Sequence, residues 1–217
     1  LDDDDVLSLD SYRRIGGVSG ALARRAEQLF QSMNETGHDA CRQLFLRLVA
    51  LGEGTEDARR RVRRSEVLTL ADARAMDGII ETYGRHRLLS FDRDPDTREP
   101  TVEIAHEALL REWSRLRAWI EASRDDLRLH ARISSATDEW GTAGRDADYL
   151  LTGIRLAQAE ESTRDDSIRL TGTERTYLDA SLARRDAEVA AERDRHDREI
   201  RLERRARLRL AALVVTV

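Results

Sequence analysis

The sequence predicts a mainly α-helical protein carrying one small β-hairpin, and three observations predict it. Charged residues make up 36% of the 217 and only two residues are proline, a balance that suits solvated helices better than a sheet sandwich. Apolar residues recur at helical spacing, as in Cys41, Leu44, Phe45 and Leu48. Strand-period alternation is confined to 88–92 and 101–105, joined by a charged connector, Arg93–Pro100, that holds both prolines.

From the amino end, Asp2–Asp5 is an acidic run typical of a solvated loop. Leu7–Ser11 can cap a helix near Tyr12, but Gly16, Gly17 and Gly20 interrupt it, each Gly costing about 1 kcal/mol relative to Ala. A turn near Gly16-Gly17 and a helix from Val18 to Met33 are therefore expected, with a break at Asn34–Gly37. A strong helix follows at 39–51, then a polar loop or short strand over 52–64. Ser65 can N-cap a short helix to Thr69. Asp72–Arg87 places Met76, Ile79, Ile80 and Tyr83 on one face of another helix. Helices followed by a β-hairpin are the order of a winged helix, a helix-turn-helix variant.

Further helices are expected at 106–122, 124–141 and 146–163. The last helix begins near Thr171, where Thr171 and Glu174 have capping-box spacing. No proline or glycine interrupts 173–209, and Asp194–Arg198, Asp197–Arg201 and Glu203–Arg207 are favourable i, i+4 pairs. Apolar residues are sparse between Arg184 and Arg201, which predicts a solvated single helix or a weak coiled coil. Arg201, Arg204, Arg205, Arg207 and Arg209 then precede the apolar run Leu210–Val217, the pattern of a cytoplasmic membrane edge. The absence of an initiator methionine and the apolar ending are expected of a piece of a longer protein.

Composition narrows the chemistry. A net charge of −5 argues against general nucleic-acid binding, as do Asp72, Asp77 and Glu81 on the outward face of the would-be recognition helix. The chain has no lysine, so Gly52-Glu53-Gly54 cannot belong to a P-loop and no catalytic NTPase site is expected here. Cys41 stands alone, which excludes an intramolecular disulfide, and the five histidines are scattered without metal-ligand spacing. His106-Glu107 lacks the second histidine of a zinc-protease motif, since position 110 is Leu. Trp113, Trp119 and Trp140 read as core anchors. Arg59, Arg60, Arg61, Arg63 and Arg64 read as a solvated basic loop, with phosphate contact or docking to a neighbouring domain as the functional readings.

The most informative stretch is Thr101–Trp113, a strand running into an amphipathic helix. His106 and Glu107 fall at its amino end, where unpaired N–H groups favour an anion. Glu107 suits the first turn, and His106 can donate to a phosphate.

Ile104-Ala105-His106-Glu107 followed by Ala108–Trp113 resembles the end of the winged helix in STAND signalling NTPases, specifically the bacterial novel STAND group. Tyr12–Leu22, Leu44–Val49 with Gly52–Asp57, and Leu127–His130 with Glu139-Trp140 resemble further family segments in the same order. The resemblance implies that His106 contacts the phosphate of bound ADP and holds a closed, inactive state. Glu107 replaces the aspartate common in eukaryotic members. It implies ADP or ATP bound by the parent, with no cofactor in these residues themselves. It further implies an upstream nucleotide-binding domain as partner, a protein effector, a bacterial parent at the cytoplasmic side of a membrane, and WD repeats beyond. The expected division is 1–36, the end of a helical lid; 37–122, the winged helix; 123–180, a helical arm; 181–209, a charged juxtamembrane helix; and 210–217, the start of a membrane helix. The expected function is signal transduction, the winged helix sensing nucleotide and relaying its state. A winged-helix DNA-binding transcription regulator and a passive helical stalk or interaction module are the alternatives.

Overall fold

The computed structural model describes residues 17–52, 54–95, 97–163 and 169–215. The expectations for Asp2–Gly16 and for Thr216-Val217 lie outside the described residues. The chain is mainly helical, with small antiparallel sheets.

Helix α1 spans Gly17–Gln31, so Gly17 and Gly20 lie inside it. Packing outweighs the glycine cost, because Ala23, Ala26, Leu29 and Phe30 form a buried stripe. Helix α2 spans Glu35–Arg47, starting earlier than its apolar stripe suggests. Asn34 does not break the chain but caps it, its side chain accepting the Gly37 N–H at 2.9 Å. Strands β1 (Val49–Ala50) and β2 (Ala58–Arg59) pair antiparallel.

Strand β3 (Val62–Arg63), helix α3 (Arg64–Val67) and helix α4 (Ala73–Arg85) follow, with Asp72 capping α4 through the Ala75 N–H at 2.9 Å. Strands β4 (Leu89–Arg93) and β5 (Pro100–Ile104) form the expected hairpin, each within a residue of its predicted span, with Phe91 opposite Val102. Strand β3 adds to the other edge, giving the order β3-β5-β4.

The helix expected at 106–122 is two helices, α5 (Ala108–Glu112) and α6 (Ser114–Ala122). Trp113 lies between them with extended backbone (φ −82°, ψ 98°). No proline or glycine causes the break. The Trp113 indole is buried against Phe45, at 4.9 Å between ring centroids, and its Nε1–H donates to Glu27 at 2.9 Å. Tertiary anchoring of one side chain therefore overrides helix propensity. Helix α7 (Arg124–Thr142), a 3₁₀ turn (Ala147–Tyr149), α8 (Gly153–Ser162) and the 44-residue α9 (Gly172–Val215) complete the chain.

Two apolar cores result. The larger runs from Ala23 to Leu127 and joins α1 to the sheet, with Phe45, Tyr83 and Trp113 at its centre. The smaller gathers Ile133, Trp140, Leu156, Ala159, Leu170, Tyr177 and Leu178 from α7, α8 and the base of α9. The capping box forms: the Thr171 N–H donates to Glu174 at 2.9 Å, and the Glu174 N–H donates to Thr171 Oγ1 at 3.2 Å. Beyond Arg185 helix α9 is exposed wherever its side chains are described. Glu203 pairs with Arg207 as expected, whereas Arg198 donates to the Asp194 backbone carbonyl and not to its carboxylate. No helix among the described residues is long and apolar enough to cross a membrane.

One surface of the large core is closed by Glu27, which accepts from Arg115 Nη2 at 2.6 Å and from the Trp113 indole. Arg115, first of all, draws its pKa from 4.5 down to about 2. The folded-state value is depressed, so the contribution is complete above the unfolded pKa and disappears as pH falls. In urea titrations, wild type should be more stable than Glu27→Gln at neutral pH, with the gap closing between about pH 4.5 and 2. A gap unchanged across that window would mean that the carboxylate's charge is irrelevant.

Candidate functional site

Backbone pairing runs past β5, with the Ala105 N–H donating to Leu88 O at 3.0 Å. His106 and Glu107 then turn the chain, their carbonyls accepting from Leu109 and Leu110 at 3.0 Å each. Leu109 and Leu110 bury and hold the turn against the core. His106 and Glu107 themselves are exposed, and neither side chain makes a hydrogen bond or ion pair among the described residues. The imidazole is thus not packed in the core. Helix α5 has only five residues, so the anion-attracting helix end expected after His106 is much reduced.

A positive charge comes from elsewhere. Arg59, at the end of β2, donates through Nη1 to Ile104 O at 3.0 Å and to Ala105 O at 3.2 Å. It sits on the carbonyls just before His106, and its other N–H groups have no partner among the described residues. Glu56 and Arg111 pair nearby in sequence at 2.9 Å. The junction therefore presents an imidazole and a guanidinium to solvent, with Glu107 as its carboxylate.

The rest of the basic stretch is not a solvated loop. Arg60 donates to Ser134 at 2.9 Å, Arg61 pairs with Asp92 and Glu103, Arg63 with Glu66 and Glu99, and Arg64 with Asp77. The pairing of β1 with β2 and of β3 with β5 turns these side chains toward partners that sequence spacing alone does not bring near.

A second polar centre lies beneath α9. Arg47, 3% exposed on α2, donates to Glu174, 2% exposed, at 2.7 Å. His130 of α7 lies between them, contacting Arg47 and standing 3.2 Å from Glu174. Burial, reinforced by Arg47, pushes the His130 pKa from 6.5 down to about 3, so the imidazole is neutral. Burial opposes ionisation of Glu174, but the Arg47 guanidinium and the Thr171 amide outweigh it and lower its pKa. Glu66 stands 3.8 Å from Arg47, and burial raises its pKa. Sequence reasoning found the Thr171–Glu174 cap but not the cross-chain partners of Glu174. The three residues come from α2, α7 and α9, and no local spacing links them.

A family model for Novel STAND NTPase 1 matches residues 2–148. The chain belongs to this family. The novel STAND match covers the large core, the junction at His106 and the whole of α7. No curated protein and no solved structure matches the chain. No cluster of metal-ligating side chains occurs among the described residues of this novel STAND segment.

Proposed function

We propose that this segment is the regulatory part of a STAND NTPase, in which residues 37–122 form a winged helix that senses bound nucleotide. The order β3-β5-β4, with β3 set between the first and second helices of the unit, supports the winged-helix reading. The observation that carries the sensing role is His106: an exposed imidazole without a partner among the described residues, beside the Arg59 guanidinium. In this reading an upstream nucleotide-binding domain brings ADP to the junction. His106 donates to a phosphate oxygen, Arg59 adds charge, and Glu107 limits approach. ADP then favours the closed state by its differential affinity for that state.

Residues 1–36 act as the end of the lid, 123–180 as the relaying arm and 181–209 as the juxtamembrane helix. The Arg47–Glu174 pair supports the relay, because it fastens α9 directly to the winged helix. The proposed continuation from 210–217 enters a membrane, with an effector module such as WD repeats beyond. A DNA-binding role is not favoured, since Arg64 of α3 is already paired with Asp77 of α4, and Glu81 of α4 stands exposed.

The test is ADP affinity in the full-length protein. His106→Ala should weaken ADP binding by roughly ten- to a hundredfold, the worth of one charge-assisted hydrogen bond. Basal signalling should rise and circular dichroism should stay unchanged, because the side chain supports no core contact. Unchanged ADP affinity in a folded variant would leave His106 an ordinary turn residue.

A further inference from the structure

Between β3 and β5 on one side and α7 with the amino end of α9 on the other lies an open cavity of about 980 Å³. That is at the upper end of the roughly 300–1,000 Å³ typical of small-molecule sites. Its lining carries side chains whose hydrogen-bond donors are not all used among the described residues.

Arg60 is the first. It is only partly exposed, its bond to Ser134 is its one side-chain partner, and no carboxylate lies within ion-pair distance among the described residues. A cation withdrawn from water without a counter-ion is costly, and a bound anion relieves that cost. Arg145 is the second. It follows Gly144, both residues having left-handed φ (66° and 70°), and its guanidinium lies 5.4 Å from the Trp140 ring centroid with no carboxylate partner among the described residues. Trp140 is 7% exposed, and its indole N–H is buried without an acceptor. Thr101, 4% exposed, likewise has an unpartnered hydroxyl. Both residues line the cavity.

The amino end of α9 opens onto the same space. Thr171 caps only the Glu174 N–H, which leaves the Gly172 and Thr173 amides at the head of a 44-residue helix. A Cβ added at Gly172 would meet nothing within 4 Å, so this end is unobstructed. The cavity also holds carboxylates, most of them neutralised. Glu174 is held by Arg47, and Glu66 and Glu99 are held by Arg63. Asp138, exposed and with no side-chain bond or ion pair among the described residues, is the countercharge on the rim.

We propose that this cavity binds a phosphate-bearing small molecule, held by Arg60, Arg145 and the free amides that open α9. A phosphate suits the site because it offers several acceptor oxygens to donors converging from different elements. Thr101 lies near the start of β5 and His106 two residues beyond its end, so this site is separate from the proposed nucleotide contact and does not rest on it. Its occupant would bridge the sheet, the arm and the base of the long helix.

The test follows the Trp140 indole N–H cross-peak in the ¹⁵N-labelled full chain. With three tryptophans present, Trp140→Phe identifies the peak. The protein is titrated with pyrophosphate and, separately, with adenosine monophosphate. A saturable shift is expected with at least one. Arg60→Gln and Arg145→Gln should weaken it about tenfold or more, and Asp138→Asn should strengthen it. Saturation by pyrophosphate makes the phosphate group sufficient, and saturation by the nucleotide alone identifies a nucleotide site; either supports the proposal. His106→Ala should leave the titration unchanged. The proposal is overturned by the absence of a saturable shift at millimolar ligand. It is equally overturned by a shift that both arginine variants leave intact, or by one that His106→Ala abolishes. Arg145 is exposed, so its variant remains informative if Arg60→Gln fails to fold.

Discussion

Trp113→Ala is expected to destabilise the large core by about 3–5 kcal/mol, the usual cost of truncating a buried tryptophan. The indole is 2% exposed and packs edge-on to Phe45 and to Trp119, 5.6 Å away. Its removal leaves a cavity at the centre of the core and takes a donor from Glu27. For a chain of this size each kcal/mol lowers Tm by about 2–4 °C, so melting should fall by roughly 6–20 °C. Trp113→Phe keeps part of the ring contact and should cost less. A Trp113→Ala melt within 2 °C of wild type would show that Trp113 is not central to the core's stability.

The second large effect is expected at Glu174. Among the described residues, Glu174→Ala leaves the buried Arg47 guanidinium with Glu66, 3.8 Å away, as its carboxylate neighbour. Breaking one side of a buried pair costs about 3–5 kcal/mol. Arg47→Met combined with Glu174→Leu removes both charges and should recover much of that loss, since an apolar pair of similar volume is often neutral or better. The measurement is hydrogen exchange in α9 between Gly172 and Leu182. Protection there should drop sharply in Glu174→Ala and return in the double variant. Protection equal to wild type in Glu174→Ala would show that the base of α9 is held by the small core alone.

The sequence features that survive contact with the structure are the local ones. The β4–β5 hairpin is legible because alternation and a proline-bearing connector fix both strands and the turn. The Thr171–Glu174 cap is legible because its two bonds span three residues. The split of 106–122 is not legible, because its cause is the contact of Trp113 with Glu27, 86 positions earlier. Asn34–Gly37 reads as a break, and the cap that Asn34 forms on the Gly37 N–H emerges only in the structure. For the candidate site, His106 and Glu107 are visible in the sequence as a junction. Arg59 is not, since only the short β1–β2 pairing brings it to the carbonyls of Ile104 and Ala105. The buried triad of Arg47, His130 and Glu174 is the extreme case, with partners 127 residues apart.

Helix α9 has a mechanical consequence. At 1.5 Å per residue its 44 residues reach about 66 Å. Among the described residues its last fastening to the body is Arg185 on Glu160, at 2.6 Å. The remaining 30 or so residues form a beam of about 45 Å, stiffened by pairs such as Glu192–Arg195 and Glu203–Arg207. A beam anchored at one end converts angle into travel. A tilt of about 10° at the base displaces the far end by about 8 Å, more than one helical turn. Small rearrangements around Glu174 are therefore sufficient to produce a large stroke at Val215, with no change inside the helix itself.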